Sequence, residues 1–272
     1  MKIITPVINN IEFIELQFNS FKKYIKFPYE FIVFNDSKDF PDWTNYGDPT
    51  IRKKIEEKCK ELGISCINIP NGHHKQIREP RLRHIESVNF MVKYMLDNPD
   101  KYLQIDSDMF LVSEFDYTKY SNYDCAVVLK FRPELEYAWT NLFYIDIDKF
   151  KYKNLLTNWD GFSYRTSTGQ HHTDTGGKSH LWVDKYKAEY PTKIYSMERL
   201  LSCEYNYNDI PENLKESTIV NFMKSDSRNK NNTIFSEIFG NCIFHYRAGS
   251  NWMGEGRETH DKLTLILKKY LN

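Results

Sequence analysis

The chain has 272 residues with 37 basic and 37 acidic side chains, so its formal net charge is zero. This balance argues against a protein that binds nucleic acid through a general basic excess. A hydrophobic fraction of 40% and an aromatic fraction of 15% argue against intrinsic disorder, and the length allows one large α/β domain.

The compartment is predicted from what the sequence lacks. No apolar segment is long enough to predict a membrane span, and the N-terminus enters strand-like sequence at once, without a secretion signal. The five cysteines are odd in number and form no C-x-x-C pair, so we expect reduced thiols. These features predict a cytoplasmic protein without a transmembrane segment, and they leave the oligomeric state open.

The first half of the chain alternates strand-like and helix-like segments. Apolar residues recur every three or four positions in the helical segments and form short continuous runs in the strands. Strands that recur about every 30 residues, with helices between them, predict an α/β fold with a mostly parallel central sheet flanked by helices. In chain order, the predicted elements are a strand at 2–8, a helix at 11–25, a strand at 29–37, a helix at 50–63, a strand at 64–70, a helix at 80–97 and a strand at 101–112.

The second half of the chain is less regular. Apolar segments at 123–131 and 140–150 predict further strands. The segment 159–180 is dense in Gly, Ser, Thr and His, which predicts a functional or mobile loop. The chain closes with an amphipathic helix for which Thr259 is the predicted N-cap. No repeat or linker interrupts the pattern, so we predict a single domain.

Two carboxylates, Asp106 and Asp108, stand on either side of Ser107 where a buried strand is predicted to end. Asn35 and Asp36 end an earlier strand, and ligands of parallel sheets bind beyond the carboxyl ends of the strands. Adjacent carboxylates repel unless a cation lies between them, and their oxygens suit Mn²⁺ or Mg²⁺. Two interpretations stay open from these residues alone: a metal site, or a pair of aspartates that caps the next turn.

The chain contains a second Asp-x-Asp pair, Asp146 and Asp148. Because a pattern this short also occurs by chance, the surrounding residues must decide between the two pairs. Lys149 and Lys151 follow the second pair directly and can neutralise its charge. We therefore predict a structural role for the second pair.

A late apolar strand ends at His245 and is followed by Arg247, Gly249 and Ser250. Imidazole is a good ligand for Mn²⁺ and similar ions, so His245 is a candidate third metal ligand. An arginine beside a glycine-containing backbone suits a pyrophosphate group. This segment therefore complements the aspartate pair in a predicted metal and diphosphate site.

Taken in order, these motifs resemble a known family. The strand "IITPV", a second strand ending in Asn-Asp, the segment "YLQIDSD" and the late "HYRAGSNW" are similar to the GT-A glycosyltransferases, which use nucleotide-sugar donors. The family 8 type (glycogenin and galactosyltransferase-like) is the closest in pattern, and the resemblance covers most of the chain. It implies a GT-A fold with a nucleotide-sugar-binding half at 1–112. An acceptor-binding half and a C-terminal metal and diphosphate segment would then occupy 113–272.

The resemblance also implies a role for individual residues. Asp106, Asp108 and His245 match the ligands of a Mn²⁺ or Mg²⁺ ion on the donor diphosphate. The remaining donor-binding candidates are Thr5 and Pro6 in the first-strand turn at the nucleoside, Asn35 and Asp36 at the base or ribose, Arg81, His84 and Asn89 over the donor, Ser107 at the ribose, and Arg247, Gly249 and Ser250 at the phosphates.

Two residues are predicted to act at the transferred sugar. Asn141 matches the family's asparagine that faces the sugar, and Asp174 is the candidate catalytic or sugar-binding carboxylate. The implied reaction moves a sugar from a nucleoside-diphosphate sugar, with a UDP-sugar preferred, to a hydroxyl of a glycan or protein acceptor. If the reaction inverts the anomeric centre, Asp174 is the base, and if it retains configuration, Asp174 or Asn141 orients the sugar. The sequence leaves this choice open, as it does the sugar and the acceptor.

Two alternative functions remain. A sugar-1-phosphate nucleotidyltransferase shares the sheet and the metal-diphosphate chemistry, but its Gly-rich loop after the first strand is replaced here by "TPVINNIEF". A non-catalytic carbohydrate-binding protein with a degenerate site is the second alternative, against which the intact Asp-Ser-Asp argues. A titration with nucleotides in the presence and absence of Mn²⁺ tests the glycosyltransferase hypothesis, which the absence of metal-dependent binding would contradict.

Overall fold

The computed structural model describes residues 1–40, 48–201, 206, 208, 210, 217–249 and 257–271. The chain divides into two compact units. Counting described residues only, unit 1 comprises Met1–Asn9, Pro28–Asp106 and Tyr117–Met197, and unit 2 comprises Asn10–Phe27, Ser107–Asp116 and Glu198–Asn272. The predicted halves, 1–112 and 113–272, follow a different boundary, and the single-domain organisation stays a prediction.

The elements of the described residues agree with the predictions for the first half of the chain. Every strand and helix predicted up to residue 97 is confirmed to within a few residues, and the short helix α3 is an addition. In chain order, the strands are β1 (Lys2–Val7), β2 (Glu30–Asn35), β3 (Ser65–Asn68), β4 (Lys101–Ile105), β5 (Met109–Leu111), β6 (Cys125–Arg132), β7 (Leu135–Asp146), β8 (Ser163–Thr166), β9 (Gly169–His172), β10 (Ile194–Ser196), β11 (Arg199–Leu201), β12 (Glu237–Phe239) and β13 (Ile243–His245). The helices are α1 (Ile11–Tyr24), α2 (Ile51–Leu62), α3 (His73–Gln76), α4 (Pro80–Asp97), α5 (His180–Glu189), α6 (Thr218–Ser225) and α7 (Arg257–Leu271).

Unit 1 is built on a seven-stranded sheet with the strand order β10-β6-β7-β4-β1-β2-β3. β1 pairs in parallel with β2 and β4, β2 with β3, and β10 with β6, whereas β7 runs antiparallel to β4 and β6. The central strands β1, β2 and β4 are almost entirely buried, which explains their near-continuous apolar sequence. The predicted α/β fold with a mostly parallel central sheet is therefore confirmed.

The strand order creates a topological switch point between β1 and β4. The chain continues from β1 to β2 on one side of the sheet, and the strands that follow β4 in this sheet lie on the other side. The register between β1 and β4 ends at Ile4 and Gln104. Pro6, which has no N–H to donate, lies beyond this paired region. Ligands of open α/β sheets bind beyond the carboxyl ends of the strands at such a point. The end of β4, where Asp106 follows, is therefore a candidate ligand site.

Local sequence explains how α1 begins and how α2 ends. The Asn10 side chain accepts a hydrogen bond from the Phe13 N–H at 3.3 Å and begins α1. Gly63 ends α2 in the left-handed conformation, with φ of 67°. The predicted N-cap of the last helix is wrong, because α7 begins at Arg257 and Thr259 lies inside its first turn. An ion pair between Glu258 and Lys262, at 2.7 Å, supports this earlier start.

The polar segment 159–180 is more regular than predicted. It contains the antiparallel hairpin β8–β9, in which Ser163 pairs with His172 and Thr166 with Gly169. Side-chain hydrogen bonds reinforce the pairing, among them the one between Ser163 Oγ and His172 Nδ1 at 2.7 Å. The prediction of a loop is therefore wrong for residues 163–172, because polar and histidine-rich strands lack the alternating apolar pattern that predicts a strand.

The segment 101–112 was predicted as one strand and is two. β4 ends at Ile105 in the seven-stranded sheet of unit 1. β5 begins at Met109 and is the edge strand of a four-stranded sheet in unit 2, with the order β11-β12-β13-β5 and antiparallel pairing throughout. The chain therefore passes from unit 1 to unit 2 between Asp106 and Ser107.

Each unit has its own hydrophobic core. The core of unit 1 includes Phe143 and Trp159, whose rings stack with centroids 5.0 Å apart. The core of unit 2 packs Phe13 of α1 against Phe110 of β5 and Tyr246, with edge-to-face geometry. None of the helices in the described residues is long and apolar enough to cross a membrane.

Candidate active site

The end of β4 in unit 1 brings two predicted site residues together. Asp106 is half-buried, and its carboxylate accepts a short hydrogen bond from the side-chain amide of Asn141 on β7. The antiparallel register places Ile105 opposite Leu142, which sets the two side chains beside each other. The amide therefore fixes the orientation of the Asp106 carboxylate at the switch point of the sheet.

A polar network extends from Asn141 through the buried Thr140. The Thr140 hydroxyl lies 3.0 Å from Asn141 Oδ1, 3.1 Å from Thr175 Oγ1 and 3.4 Å from Nε2 of His84 on α4. The predicted residue His84 is thus joined to Asn141. Thr140 and Thr175 were missed, because isolated threonines give no sequence signal of a site.

The candidate catalytic residue Asp174 adjoins this network through its neighbour Thr175. Asp174 is exposed, and its Oδ1 accepts a hydrogen bond from the Thr175 N–H at 2.8 Å. The turn that follows requires glycine, because Gly176 has φ of 95° and a Cβ there would lie 2.3 Å from the Ala138 carbonyl oxygen on β7. Close packing on β7 therefore positions the Asp174 segment.

The residues predicted at the nucleoside are buried in unit 1. Thr5 and Pro6 lie within β1 and not in the turn after it, because β1 pairs with β2 as far as Val7 and Asn35. Both residues are buried within the strand, so their predicted placement in a turn is wrong. The Asn35 side chain donates to the Arg52 carbonyl oxygen at 3.0 Å and thereby links the end of β2 to the start of α2.

Asp36 lies in a cluster that the sequence did not predict. The Asp36 cluster consists of Asp36, His73 and His74, in which Asp36 Oδ1 lies 3.2 Å from Nε2 of each histidine. Burial by itself would raise the pKa of Asp36, but hydrogen bonds and charge from the two histidines outweigh burial and hold the pKa below its usual value. The adjacent histidines after β3 were the available signal, but only Asp36 was assigned a role.

The other α4 candidates do not join the network of His84. Arg81 is exposed and pairs with Glu79 at 3.0 Å. Asn89 accepts a hydrogen bond from the Trp159 backbone N–H at 3.3 Å, which ties α4 to the following segment of unit 1. Both residues therefore have local partners in this structure.

In unit 2, the structure brings Asp108 and His245 together as the Asp108 pair. Antiparallel pairing of β5 and β13 places His245 opposite Met109, next to Asp108. Asp108 Oδ1 lies 3.3 Å from His245 Nε2, and both residues are buried. Asp108 Oδ2 accepts a hydrogen bond from the Gly249 N–H at 2.8 Å. Two of the three predicted metal ligands are therefore neighbours.

Glu237 supports His245 from the other side and was missed by the sequence analysis. It lies opposite His245 in the β12–β13 register and accepts a hydrogen bond from His245 Nδ1–H at 2.8 Å. Burial by itself would lower the pKa of His245, but Asp108 and Glu237 outweigh it and raise the pKa to about 10. The Gly240-Asn241 dipeptide between two apolar runs was the available hairpin signal, since both residues have positive φ.

The segment after His245 has partners of its own in unit 2. A Cβ on Gly249 would lie 2.6 Å from Tyr246 Cδ1 and 2.7 Å from Phe13 Cε2, so only glycine fits without displacement. Its N–H is bonded to Asp108 and is not directed at a phosphate in this conformation. The Arg247 guanidinium lies 5.0 Å from the Phe235 ring. The predicted Ser250 lies outside the described residues, and Ser107 is buried next to Asp108 in the chain.

The second Asp-x-Asp pair lies in unit 1 at the end of β7. Asp146 is buried and lies 3.5 Å from Lys149 Nζ, which agrees with the predicted neutralisation. Asp148 is exposed. Among the described residues, Asp146 pairs with a lysine where Asp108 pairs with a histidine, so the second pair offers a control for mutagenesis.

Among known proteins, no family model matches the chain, and no curated protein sequence matches it. Solved structures with a similar chain trace include the mannosyltransferase Ktr4p from S. cerevisiae, with a TM-score of 0.37 and 11% identity over 57% of this chain and 58% of that chain. The mannosyltransferase PcManGT from Pyrobaculum calidifontis, in complex with GDP-Man and Mn²⁺, has a TM-score of 0.41 and 11% identity over 72% and 53% of the two chains. The galactosyltransferase LgtC, in complex with donor and acceptor sugar analogues, has a TM-score of 0.46 and 12% identity over 98% and 96%.

All three similar structures are glycosyltransferases, the class of enzyme that the sequence motifs resemble. The chain spans 58% and 53% of the length of the two mannosyltransferases. At 11% to 12% identity the likeness concerns the chain trace alone, and it assigns no activity to the present chain.

Proposed function

We propose that this protein is a metal-dependent glycosyltransferase that moves a sugar from a nucleoside-diphosphate sugar to a hydroxyl of a glycan or protein acceptor. The observation that carries the proposal is the Asp108 pair. A buried carboxylate oxygen of Asp108 and a ring nitrogen of His245 lie 3.3 Å apart. Such a pair has the donor atoms of a site for a divalent cation.

The surroundings of the pair suit a metal ligand. Metal-binding histidines usually donate their second ring N–H to a carboxylate or carbonyl, which orients the ring. Glu237 provides such a partner at His245 Nδ1, and Arg199 lies 3.4 Å from the other oxygen of Glu237. The residues therefore fit a Mn²⁺ or Mg²⁺ ion, which when bound supplies positive charge to a leaving nucleoside diphosphate. Asp106, two positions before Asp108, stays a predicted third ligand on the strength of the Asp-x-Asp motif.

Other residues of the chain orient the Asp106 carboxylate and, in the proposal, bind the donor phosphates. The Asn141 amide holds the Asp106 carboxylate in one orientation, and the Thr140 hydroxyl holds the amide. We assign Arg247 to the donor phosphates, because its guanidinium is a permanent cation two residues after His245. A UDP-sugar is the preferred donor, as the family resemblance implies.

At the transferred sugar, the proposal assigns Asn141 and Asp174. Asp174 is an exposed carboxylate held by packing on β7, so an acceptor hydroxyl can reach it. In an inverting reaction Asp174 takes the proton from this hydroxyl as it attacks the anomeric carbon. In a retaining reaction Asp174 and Asn141 orient the sugar by hydrogen bonds. The anomeric configuration of the product, read by NMR, decides between these roles.

Calorimetric titration with UDP, GDP and dTDP, with and without Mn²⁺, tests the proposal. We expect one of these nucleotides to bind in a Mn²⁺-dependent manner to the wild type and to the control Asp148→Ala, and not to Asp108→Ala. Binding that does not depend on Mn²⁺, or no binding of any nucleotide, contradicts the proposal. A panel of nucleotide sugars, assayed for release of the nucleoside diphosphate, then names the donor. Release of pyrophosphate from a nucleoside triphosphate and a sugar 1-phosphate would instead identify a nucleotidyltransferase.

A further inference from the structure

We propose that the Asp36 cluster is a second metal site, which binds Zn²⁺ or a similar first-row transition ion through Asp36, His73 and His74. All three residues belong to unit 1, so the proposal is independent of the Asp108 pair. One potential ligand atom from each residue lies within 4.8 Å of the others. Asp36 and His74 are fully buried.

The hydrogen bonds of His73 leave one ring nitrogen available as a ligand. Its Nδ1 lies 3.0 Å from the Pro70 carbonyl oxygen, which can only accept, so Nδ1 carries the proton. Nε2 is buried and lies 3.2 Å from Asp36 Oδ1. Nδ1 bonded to a carbonyl and Nε2 directed inward is the arrangement that metal-binding histidines adopt.

His74 turns the same ring nitrogen, Nε2, toward Asp36. Its Nε2 donates a hydrogen bond to the Asp36 carbonyl oxygen at 2.7 Å. Nε2 also lies 3.2 Å from Asp36 Oδ1, so it is the candidate ligand atom, and as a ligand it would leave the proton on the buried Nδ1. The two adjacent rings lie with centroids 4.1 Å apart, so they are held together as a unit.

Asp36 completes the pattern. Its Oδ2 accepts a hydrogen bond from the Ser87 hydroxyl of α4 at 2.5 Å, which fixes the orientation of the carboxylate. Its Oδ1 is buried and lies 3.2 Å from Nε2 of His73 and from Nε2 of His74. Asp36 and His73 thus each have one polar atom held by a neighbouring residue, and their other polar atoms face each other at 3.2 Å.

Asp36 Oδ1 lies 3.2 Å from a ring nitrogen of each histidine, so the three groups already meet at one place, and a bound ion would take the position of the proton between them. Two imidazole nitrogens and one carboxylate oxygen form the three-ligand set typical of Zn²⁺, with water as a fourth ligand. Mg²⁺ and Ca²⁺ prefer sets of oxygens, so nitrogen ligands favour a transition ion. The ion would link the end of β2 to α3.

Binding of Zn²⁺ to the full chain, measured after treatment with EDTA, tests the site. We expect one high-affinity Zn²⁺ per chain in Asp108→Ala, in which the other proposed site is removed. We expect the double variant His73→Gln/His74→Gln in the same background to lose more than 100-fold in affinity, with the unfolding temperature in EDTA as its folding check. The control His172→Gln changes an exposed histidine of the β8–β9 hairpin and keeps the affinity. Equal affinity in the double variant and the control overturns the proposal.

A second measurement needs no variant of the cluster. Anomalous diffraction at the zinc edge, from wild-type crystals grown with Zn²⁺, is expected to show an ion between Asp36, His73 and His74. An ion at Asp108 and His245 alone overturns this site and leaves the proposed glycosyltransferase function untouched. Conversely, an Asp108→Ala chain that binds Zn²⁺ at the cluster while the wild type binds no nucleotide overturns the proposed function alone.

Discussion

The Asp36 cluster of unit 1 and the Asp108 pair of unit 2 use the same residue types in opposite proportions. In both, a buried aspartate oxygen faces an imidazole nitrogen, at 3.2 Å in the first and 3.3 Å in the second. Asp36 has two histidines and no second carboxylate within the cluster. His245 instead lies between two carboxylates, Asp108 and Glu237.

This difference sets the charge that each site can accept. One carboxylate with two neutral imidazoles offers mainly nitrogen ligands and a charge of minus one, which favours a transition ion of the zinc type. The Asp108 pair offers one imidazole nitrogen, and the other ligands in the proposal are carboxylate oxygens, which favours a hard divalent cation with open positions for phosphate oxygens. The ratio of carboxylate to imidazole therefore predicts that the two sites take different ions and serve different roles.

The largest expected effect is on catalysis at the Asp108 pair. Asp108→Asn keeps the shape of the side chain and removes its charge, so we expect the rate of sugar transfer to fall by about 1,000-fold. Initial rates with the donor found in the nucleotide-sugar panel measure this effect. Asp148→Asn, at the exposed position of the second Asp-x-Asp pair, serves as the control. A fall of less than about tenfold in Asp108→Asn would show that the carboxylate is not part of the active site.

The second prediction concerns stability at the Asp36 cluster. Asp36→Asn removes the charge from a fully buried group with two imidazole neighbours, so we expect the free energy of unfolding in EDTA to fall by about 3–5 kcal/mol. Urea denaturation followed by circular dichroism measures this change. An exposed substitution such as Asp148→Asn is expected to stay within about 0.5 kcal/mol of the wild type. If Asp36→Asn does the same, the cluster contributes nothing to stability without its ion.

The third prediction concerns Glu237, which orients the proposed ligand His245 without binding the ion itself. Glu237→Gln keeps a hydrogen-bond acceptor near His245 Nδ1 and removes the negative charge, so we expect the affinity for Mn²⁺ to fall by about 10- to 100-fold. Calorimetric titration with Mn²⁺ measures it, and Zn²⁺ affinity at the Asp36 cluster is expected to stay unchanged. Glu258→Gln, an exposed position on α7, is the matched control. Unchanged Mn²⁺ affinity in Glu237→Gln would remove Glu237 from the site.

The smallest effect is on the pH dependence of stability in metal-free protein. The pKa of His245 is raised from 6.5 to about 10 in the folded chain, so its protonated form stabilises the fold. This contribution is complete below about pH 6.5 and is lost as the pH rises to about 10. Unfolding free energies in EDTA across this range, compared with Asp108→Asn, measure it. Because Asp108→Asn lacks one of the two carboxylates, we expect its profile to be flatter, and parallel profiles would contradict the assignment.

The comparison also shows what the sequence could predict. The apolar runs of β1, β2 and β4 and the periodic pattern of α4 were sufficient for the fold of unit 1, because long buried elements carry many consistent positions. Asp108 and His245 were predicted as partners because each follows or ends an apolar strand. Their pairing needed no knowledge of the register.

The missed residues depend on contacts that local patterns do not encode. Glu237 lies on a strand of three residues, too short for periodicity, and its position opposite His245 follows from the β12–β13 register alone. His73 and His74 lie on a single turn of helix, and their relation to Asp36 arises only when α3 packs against the end of β2. The hairpin β8–β9 was missed since its strands are polar on both faces.

Gly176 has a consequence for how variants of this chain would be selected. A Cβ there would meet the Ala138 carbonyl oxygen at 2.3 Å, whereas a Cβ on Gly63, which also has positive φ, would meet nothing within 4 Å. In a saturation library screened for growth or fluorescence, we expect codon 63 to accept asparagine and codon 176 to accept glycine alone. Enrichment counts at these two codons would therefore distinguish two constraints. Codon 63 reports only the cost of a positive φ, whereas codon 176 also reports the clash of a side chain with the β7 backbone near Asp174.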